Sequence, residues 1–596
     1  MITVPFTPLV RPPREFEFVA FDTEGDGSPG GFVLAAGFDA DGPQVFHDPE
    51  HLRWWLFRPC NRRKRILAAN LEYDWATAFQ PFDRHYEILL NDGKWLSAKY
   101  REGKRRLWTA WDIQRIAPLS VAQMGKLIHL AKYPTPASLL SDKTTIVEEW
   151  YCDLHHRMWC VECYCVRDAE IVYRFANWFQ DVLLGLGGEM KMTTASCAMA
   201  LFRRKYLHDE IAPTTVEHNE EARNGYHGGR VECFKVATAK EINVYDFNSL
   251  YASVMRDLRV GLPDTYHHIE SPRSAARYLD KFGQFTGSLR VPSSYIPSLP
   301  YKPQGRSFFC YGDVAGSWTL SEVRAAVQSG ATILSCDSVT YADRTVKLFE
   351  RYVNDLYFVR MEMQHNHDPS EYVVKMMLNS LYGKFGQRSE SGLQELIVPE
   401  GDYDLEEFSD CDPVELAGYE CFMRDKQLFV QSPHVHVLWA AEIAARARMK
   451  LGRLLDQVGH DAFYCDTDSL HTTAKLETSE ALGFLKQEER YARITYFAPK
   501  EYGGITSAGQ FVTHAKGIPA RYRSEYLAKG RVEFQQPTHV LESIQRNCRI
   551  AEWRKQLRTR RRTTPTRKHA DIADYNCDFV DTEAFDAEEV INNEVV

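Results

Sequence analysis

The stretch that decides the fold is FYCDTDSLHTT, residues 463–473. Its aromatic and β-branched residues predict two short strands, with Asp466, Thr467 and Asp468 at the turn between them. Two carboxylates at a hairpin tip repel each other unless a cation lies between them, so such a turn is a poor way to stabilise a fold. Because a string of this type rarely arises by chance, the hairpin is predicted to be a functional metal site.

A second carboxylate is expected beside this hairpin. The segment NVYDFNSLYASVM, residues 243–255, predicts a strand that ends at Asp246 and a helix that begins near Ser249. Taken alone, it could equally be a capped helix start. Together, Asp246 and Asp468 could hold two Mg²⁺ ions around an incoming triphosphate, one ion lowering the pKa of a primer hydroxyl and the other bridging the phosphates.

A third segment supplies a basic and aromatic helix face. It reads VVKMMLNSLYGKFGQ, residues 373–387, and on a helix Lys375, Asn379 and Tyr382 fall at i, i+4 and i+7. A helix that only covered a core would carry Leu or Met at these positions. Lys375 would neutralise the triphosphate, Tyr382 would stack near the nascent base pair, and Gly383 would let the template approach closely.

Carboxylates also cluster near the start of the chain. The segment EFEFVAFDTEGDG, residues 15–27, predicts a strand on which Asp22 and Glu24 face the same side. Such a pair favours a divalent-metal site, although a solvated strand end is the alternative for the pair alone.

Two further segments complete this set. AANLEYDWATAF, residues 68–79, carries Asn70 and Asp74, and YCVRDAEIVYRFANWF, residues 164–179, predicts a helix. On that helix, Tyr164 and Asp168 are four residues apart and share a face. Four carboxylates and a tyrosine suit two-metal phosphodiester hydrolysis, with the phenol orienting the attacking water.

In this ordered set of motifs, D-x-E, N-x-x-Y-D and Y-x-x-x-D, the chain resembles the proofreading 3′ to 5′ exonuclease domain of DNA polymerases. The resemblance implies an RNase H-like fold over roughly residues 14–185. It implies that the metals are held by Asp22, Glu24, Asp74 and Asp168. It further implies that Tyr164 positions water and that Asn70 contacts a single-stranded 3′ end. Ile113 and Gln114 depart from the family's Ser or Thr followed by Leu, which bears on primer partitioning rather than on the chemistry.

The three later motifs, in their order, resemble the palm and fingers of family B DNA polymerases, and more closely the protein-primed branch from small linear phages and linear plasmids. The resemblance implies an α/β multidomain fold, in which the exonuclease domain precedes a right-hand polymerase domain of palm, fingers and thumb with terminal-protein-region insertions. Asp246, Asp468 and Asp466 would be its catalytic carboxylates, with Asp468 the firmer metal ligand and Phe247 a further metal contact.

Other roles carry over at matching positions. Tyr251 would be a steric gate against a ribose 2′-hydroxyl, and Arg360 a second basic residue facing the triphosphate. The implied nucleotide-binding set is Leu250, Tyr251, Arg360, Lys375, Asn379 and Tyr382. YHGG, residues 226–229, resembles the branch's Y-x-G-G element, and FAPKEY, residues 497–502, resembles its K-x-Y element. The implied DNA-binding set is Asn70, Tyr226, Gly228, Gly229, Gly383, Lys500 and Tyr502.

The spacing between the motifs leaves room for two insertions. Lys375 follows Asp246 by 129 positions, and Asp466 follows Gly383 by 83 positions. The expected domains are a 3′ to 5′ exonuclease domain (1–185), connector (186–225), first palm segment (226–297), insertion 1 (298–346), fingers (347–386), insertion 2 (387–432), second palm segment (433–502), thumb (503–570) and acidic tail (571–596). The resemblance implies that the second insertion forms a hairpin that closes around downstream DNA, and so implies processivity and strand displacement.

Composition bounds these expectations. The chain has 596 residues, of which 44% are hydrophobic and 26% charged, which is typical of a globular protein with several cores. Nothing in the N-terminal segment resembles an export signal, so a cytoplasmic protein of the host cell is expected. Residues 571–596 hold nine acidic residues and no Lys or Arg, and are expected to be partly disordered. The tail could solubilise the chain or compete with DNA for the basic stretch before it.

That basic stretch is RNCRIAEWRKQLRTRRRTTPTRK, residues 546–568. It would suit a phosphate backbone, but a solvated basic helix end or a nuclear localisation string are alternatives. A Cys and His cluster between Cys152 and Cys165 raises a zinc hypothesis, against which small buried thiols on the Tyr164 helix are favoured.

The expected function is a DNA-directed DNA polymerase with a proofreading exonuclease. Its expected cofactors are Mg²⁺ or Mn²⁺, two ions at each site, and its expected partners are template and primer DNA, dNTPs and a terminal protein primer. A monomer is expected. The alternatives are a family B polymerase that is nucleic-acid-primed or self-priming, and a nuclease whose polymerase portion is only a DNA-binding clamp.

Overall fold

The computed structural model describes the greater part of the chain. The described residues are 2–25, 32–79, 85–91, 94–102, 105–135, 151–152, 157–158, 160–388, 393–399, 405–416, 419–425, 431–536, 556–561, 567–569 and 579–584. Within these ranges, no helix is both long and apolar enough to cross a membrane.

The N-terminal part is a sheet covered by helices. Its strands are β1 (Phe18–Gly25), β2 (Phe32–Asp39), β3 (Gly42–Phe46), β4 (Arg65–Ala68), β5 (Tyr86–Asn91), β6 (Lys94–Glu102), β7 (Arg105–Asp112), β8 (Tyr151–Cys152) and β9 (Arg157–Met158). Its helices are α1 (Pro49–Leu56), α2 (Leu71–Ala78), α3 (Ile113–Ile116), α4 (Val121–Leu127) and α5 (Val161–Leu186).

Strand β1 is central in this sheet, antiparallel to β2 and parallel to β4. Val19 and Phe21 enter one hydrophobic core and Phe18 and Ala20 enter another, so both faces of the strand are covered. Helix α5 packs on β1 and β2. A strand buried on both faces holds its carboxylates rigidly where it ends.

Two helices connect this part to the next, α6 (Thr194–Lys205) and α7 (Val216–Asn224). The following elements up to the fingers are β10 (Val231–Cys233), β11 (Lys235–Phe247), α8 (Leu250–Asp257), β12 (Val260–Gly261), β13 (Tyr266–Glu270), β14 (Phe282–Val291), β15 (Pro300–Tyr301), β16 (Phe308–Phe309), β17 (Gly312–Thr319), α9 (Leu320–Gln328), β18 (Thr332–Ala342) and β19 (Thr345–Val346). Strands β13, β18, β14 and β17 form a separate four-stranded sheet on which α9 packs.

The helix expected over residues 373–387 is observed as two segments, α11 (Glu371–Ser380) and α12 (Tyr382–Phe385). Helix α10 (Glu350–His365) precedes them. Leu381, between α11 and α12, keeps helical dihedral angles. Lys375 and Asn379 are exposed on α11 while Met376, Met377 and Leu378 are buried, as the side-chain stripe predicted.

The second insertion extends the N-terminal sheet. Its described strands are β20 (Leu393–Val398), β21 (Asp412–Leu416) and β22 (Tyr419–Asp425). Strands β21 and β22 form a hairpin, and β20 pairs antiparallel with β5, which the sequence did not indicate. The insertion is therefore fixed to the N-terminal part by a continuous ladder of backbone hydrogen bonds.

The remaining elements build a second large sheet. They are α13 (Val437–Val458), β23 (Ala462–Asp466), β24 (Ser469–Thr472), β25 (Leu485–Ala498), β26 (Glu501–Thr506), β27 (Phe511–Ala515), α14 (Ala520–Lys529), β28 (Arg531–Gln536), β29 (Gln556–Arg561), β30 (Lys568–His569) and β31 (Phe579–Glu583). The main strand order is β10-β23-β24-β11-β25-β26-β27. This sheet continues to Ala515, past residue 502, where the palm was expected to end.

The C-terminal segments correct one alternative and add a strand within the acidic tail. Residues 556–561 of the basic stretch form β29, so a helix end is the wrong interpretation for this segment. Within the acidic tail, β31 pairs with β11 over Lys235–Ala237 and thereby joins the second large sheet. The tail is thus ordered at this strand, because β11 offers a free sheet edge beyond its pairing with β24 and β25.

Candidate active sites

Asp246 and Asp468 meet at one end of the second sheet. Asp246 lies near the end of β11, opposite Ser469 of β24 and Lys486 of β25. The turn after β23 carries Asp468, whose carbonyl oxygen accepts a 2.9 Å hydrogen bond from the Phe247 amide. Burial, followed by the charge of Asp468, raises the pKa of Asp246 to about 7. The two carboxylates therefore repel each other, and a bound cation would reduce this repulsion.

Two groups at this site were not foreseen from the sequence. Lys486 Nζ lies 3.4 Å from Asp246 Oδ2 and 2.7 Å from Glu488 Oε1. Both residues project from β25, where their spacing of two places them on one face. Alternating charge in LKQEER, residues 485–490, was the available sequence feature, but only the pairing with β11 brings it to Asp246.

Asp466 is engaged by protein groups. Lys500 Nζ lies 2.5 Å from its Oδ2, and the Tyr464 hydroxyl donates to the same oxygen at 3.1 Å. Lys500 adopts a left-handed conformation, and Tyr502 stacks on His514 with ring centroids 5.1 Å apart. Asp466 is thus paired with Lys500, as Asp246 is with Lys486 at the longer distance of 3.4 Å.

The glycine element packs against the carboxylate turn. Thr467, with φ of 62°, donates its amide to Arg230 O at 2.7 Å. A Cβ built on Gly229 would lie 2.8 Å from Thr467 Oγ1, so this position has no room for a side chain. Gly228 has open space around it, and Arg448 Nη1 donates to its carbonyl oxygen at 2.8 Å.

Arg448 is itself held by a buried ion pair. Its Nε and Nη2 donate to the two Glu322 carboxylate oxygens at 3.0 and 2.9 Å, and both side chains are almost fully buried. Tyr226, at the start of the glycine element, packs against Gly386, where a Cβ would lie 2.5 Å from its ring. The element is therefore clamped between helix α13 and the fingers.

Two of the expected nucleotide-binding residues, Tyr251 and Tyr382, lie close enough to Asp468 for its charge to act on their hydroxyls. Tyr251 and Tyr382 stack with ring centroids 4.4 Å apart and an interplanar angle of 11°. Arg360 donates to Glu371 at 2.6 Å and to Ser249 Oγ at 3.0 Å.

Two other positions qualify the expectation. The Leu250 side chain is buried in the core, so only its backbone could face a nucleotide. Gly383 has open space where a side chain would be, which suits close approach by a ligand.

The N-terminal carboxylates also converge. Ligand atoms of Asp22, Glu24 and Cys165 lie within 4.8 Å of one another. Asp74 Oδ1 accepts from the Thr23 amide at 3.1 Å and from its hydroxyl at 2.9 Å. Among the described residues, Asp74 Oδ2 and Asp168 Oδ1 are buried and have no hydrogen-bond partner. Burial raises the pKa of Glu24 to about 7, with Asp168 adding to the shift.

A lysine that was not foreseen from the sequence completes this group. Lys132 forms an ion pair with Asp168, and its Nζ lies 4.3 Å from the centre of the Tyr164 ring. The Tyr164 hydroxyl lies 3.3 Å from Thr135 Oγ1. Lys132 precedes α5 by almost thirty residues in a loop, so helical or strand spacing could not reveal it.

Other expectations in this region have mixed outcomes. Asn70 is exposed, has φ of 71°, and its amide contacts Asp112 Oδ1 at 3.4 Å. Gln114 does not point freely to solvent, because its Nε2 donates to Leu119 O at 3.1 Å. Of the proposed zinc cluster, His155 and His156 lie outside the described residues. Within the described ranges, Cys165 belongs to a candidate metal-binding group with Asp22 and Glu24. This group contains no other cysteine.

A basic cavity is lined by residues of the N-terminal part, of the segment 191–196 and of the segment 383–393. It has a volume of about 750 Å³, and its cationic lining residues are Arg14, Arg65, Lys191 and Lys384. Its described lining contains no carboxylate, and Gly383 forms part of the wall. Phe16 and Trp111 meet edge to face at 5.3 Å, with the Arg65 guanidinium lying over both rings.

Comparison with known proteins shows which family this chain resembles. Residues 158–434 match the model for DNA polymerase type B, organellar and viral. A probable DNA polymerase of Ascobolus immersus is 26% identical over 329 residues, 53% of this chain and 27% of that protein. The DNA-directed DNA polymerase of Enterobacteria phage PRD1 is 26% identical over 287 residues, 47% of this chain and 48% of that protein. The chain spans less than two thirds of the length of the curated relatives it matches.

A solved structure shows the same fold. Phi29 DNA polymerase complexed with primer-template DNA and incoming nucleotide substrates superposes with a TM-score of 0.68 at 15% identity, covering 88% of this chain and 96% of that chain. The expected α/β multidomain fold of exonuclease, palm, fingers and thumb is thus confirmed. The chain resembles the family B DNA polymerases of the organellar and viral type, and its expected resemblance to their protein-primed branch is confirmed.

Proposed function

We propose that this chain is a DNA-directed DNA polymerase that adds deoxynucleotides to a 3′ hydroxyl and carries a 3′ to 5′ exonuclease in its N-terminal part. The observation that carries the polymerase proposal is the meeting of Asp246 and Asp468, from two separate motifs, at one end of the second sheet. Their mutual repulsion and partial burial suit divalent cations.

The donor atoms at both sites fit divalent metals. Carboxylate oxygens are the ligands that Mg²⁺ and Mn²⁺ prefer, and each site offers several of them. In the N-terminal site, the unpartnered buried oxygens of Asp74 and Asp168 give a further reason to expect a cation. When bound, such ions lower the pKa of an attacking hydroxyl or water and neutralise charge on the phosphates.

The protein residues would then do the positioning. Asp246 and Asp468 would hold the ions at the end of the sheet, and Lys375 and Arg360 would face the triphosphate. Tyr251, stacked on Tyr382, would form the floor under the sugar and reject a 2′-hydroxyl. Lys500, already paired with Asp466, would contact the primer terminus.

In the exonuclease site, Asp22, Glu24, Asp74 and Asp168 would hold the ions, while Tyr164 orients water. Burial raises the pKa of Asp168, and Lys132 would oppose that shift and fix the Tyr164 ring. The exposed Asn70 would contact the single-stranded 3′ end. The basic cavity supports passage of a single-stranded template, because it combines four cationic side chains with aromatic surfaces.

The test is a separation of the two activities by substitution. Asp246→Asn should abolish primer extension and leave the degradation of single strands intact. Asp22→Asn with Asp74→Asn should do the reverse. Loss of both activities in either variant, while its thermal unfolding is unchanged, would contradict two separate sites.

We further propose protein-primed initiation and strand displacement. The insertion strands β20 to β22 are attached to the N-terminal sheet through β5, so the insertion spans from the fingers to that sheet and could encircle DNA. Transfer of the first labelled deoxynucleotide to a Ser, Thr or Tyr of a partner protein would support protein priming. Extension only from nucleic-acid primers, in the presence of that partner, would favour a nucleic-acid-primed or self-priming family B polymerase.

A further inference from the structure

Cys165 lies at the boundary between a hydrophobic core and the N-terminal carboxylates. Helix α5 buries it completely against Leu34 and Ala36 of β2. Its Sγ lies 3.4 Å from Asp22 Oδ2 and 3.4 Å from the Asp22 carbonyl oxygen. The thiol therefore faces the same space as the carboxylates, and apolar side chains prevent it from turning away.

The distances suit coordination of a single cation. Ligand atoms of Asp22, Glu24 and Cys165 all lie within 4.8 Å of one another. In a tetrahedral site with a metal–sulfur bond of about 2.3 Å and metal–oxygen bonds of about 2.1 Å, sulfur and oxygen are about 3.6 Å apart. Cys165 Sγ, which donates a hydrogen bond to Asp22 Oδ2 at 3.4 Å, is therefore close to the required separation before a metal replaces its proton.

A second observation points to a ligand at the same place. Asp74 and Asp168 are almost fully buried, and each has one carboxylate oxygen without a hydrogen-bond partner among the described residues. Both carboxylates lie close enough to Asp22 to raise its pKa. Asp168 is paired with Lys132 through its other oxygen, and the two unpartnered oxygens suit a cation that also binds the thiol.

We propose that Asp22, Glu24 and Cys165 form a binding site for a thiophilic divalent cation such as Zn²⁺ or Cd²⁺, which overlaps the exonuclease metal site and blocks DNA degradation. Binding replaces the S–H bond of Cys165 by a sulfur–metal bond and releases the proton to solvent. The inhibitory consequence rests on the proposed exonuclease function, whereas the binding itself does not. The palm carboxylates lie elsewhere, so primer extension with Mg²⁺ should be spared.

The test titrates the metal-free chain with Cd²⁺ in a phosphine reductant and follows the ultraviolet charge-transfer absorption of the cadmium–thiolate bond. The full chain has fourteen cysteines, so each spectrum is compared with those of matched variants. Cys165→Ser removes the proposed sulfur ligand, and Asp22→Asn removes its neighbour. Cys197→Ser is the control, because that buried thiol contacts only the Lys191 backbone among the partners described.

The wild type and Cys197→Ser should share a saturable absorption band that Cys165→Ser and Asp22→Asn lack or acquire only at about tenfold higher Cd²⁺. Cys165→Ala provides a second variant, and thermal unfolding identifies any variant that fails to fold. The same band in Cys165→Ser as in the wild type would overturn the proposal.

Activity assays with Cd²⁺ added to Mg²⁺ separate the two levels of the inference. Cd²⁺ should inhibit wild-type DNA degradation at concentrations that leave Cys165→Ser active. If the absorption band is present but the chain degrades no DNA, the metal site stands and the exonuclease proposal fails. If degradation occurs and its sensitivity to Cd²⁺ is the same in both proteins, the overlap of the two sites is refuted.

Discussion

Replacing Gly229 by alanine should disturb the carboxylate turn through direct contact. The added Cβ would lie 2.8 Å from Thr467 Oγ1, 2.9 Å from Cγ2 and 3.1 Å from Cβ. Ordinary contacts between such atoms are about 3.5–4.0 Å, so Thr467 must move by about 0.7 Å. Thr467 lies between Asp466 and Asp468, and its amide is tied to Arg230 O, so the movement displaces the carboxylates as well.

Overpacking of this kind costs about 1–3 kcal/mol. If that cost falls on the transition state, kcat for nucleotide addition drops by about 5- to 150-fold. Single-nucleotide incorporation under saturating primer-template and dNTP measures kcat, and thermal unfolding measures stability. Degradation of a single strand by the same preparation serves as an internal reference, because the N-terminal carboxylates lie in a different sheet.

Two further variants isolate the contact. Thr467→Gly removes all three contacting atoms and suits the φ of 62° at that position, so Gly229→Ala should cost little in this background. Gly228→Ala is the matched control for stability. A Cβ built on Gly228 meets open space, so this substitution should leave the unfolding temperature unchanged. An unaltered kcat in Gly229→Ala, or an equal loss with and without Thr467→Gly, would refute the reasoning.

Three other predictions concern metal binding at Asp246 and the stability of the fold. Asp246→Asn relieves the repulsion between Asp246 and Asp468, so the metal-free variant should unfold at a higher temperature than the metal-free wild type. Mn²⁺ should raise the unfolding temperature of the variant by less than that of the wild type. An equal effect of Mn²⁺ on both proteins would contradict metal binding at Asp246. Arg448→Met leaves Glu322 buried without its cation and should lower the free energy of unfolding by about 3–5 kcal/mol in denaturant titrations. The double variant Arg448→Met with Glu322→Leu should recover much of this loss. Burial lowers the pKa of His436 to about 3 from 6.5, so below pH 6.5 the unfolded state binds a proton that the folded state does not. The free energy of unfolding should therefore fall by up to about 1.4 kcal/mol for each pH unit below 6.5. His436→Phe should reduce this pH dependence.

Sequence spacing predicted what is local in this protein. The turn with Asp466 and Asp468, the exposed stripe on α11 and the shared face of Asp22 and Glu24 follow from the periods of strands and helices. The sequence also predicted that these segments belong to a family B polymerase fold, which the comparisons confirm.

Features that depend on how distant segments meet were not predictable in this way. Lys132 reaches Asp168 from a loop, and Lys486 reaches Asp246 only through the register of β25 against β11. The same holds for β20, which crosses to the N-terminal sheet, and for β31, which joins the palm sheet from the acidic tail. Sheet pairing between such remote segments is fixed by tertiary packing, and no local pattern records it.

The central claim is that one chain both extends DNA and displaces a strand while doing so. Primer extension on a circular single-stranded template, with the purified chain, Mg²⁺ and dNTPs alone, tests it most directly. Products many circles long are expected, because the insertion and the basic cavity would hold the template while the palm carboxylates drive synthesis. Products that stop after one circle would contradict strand displacement, and degradation of the primer without any extension would contradict both parts of the claim.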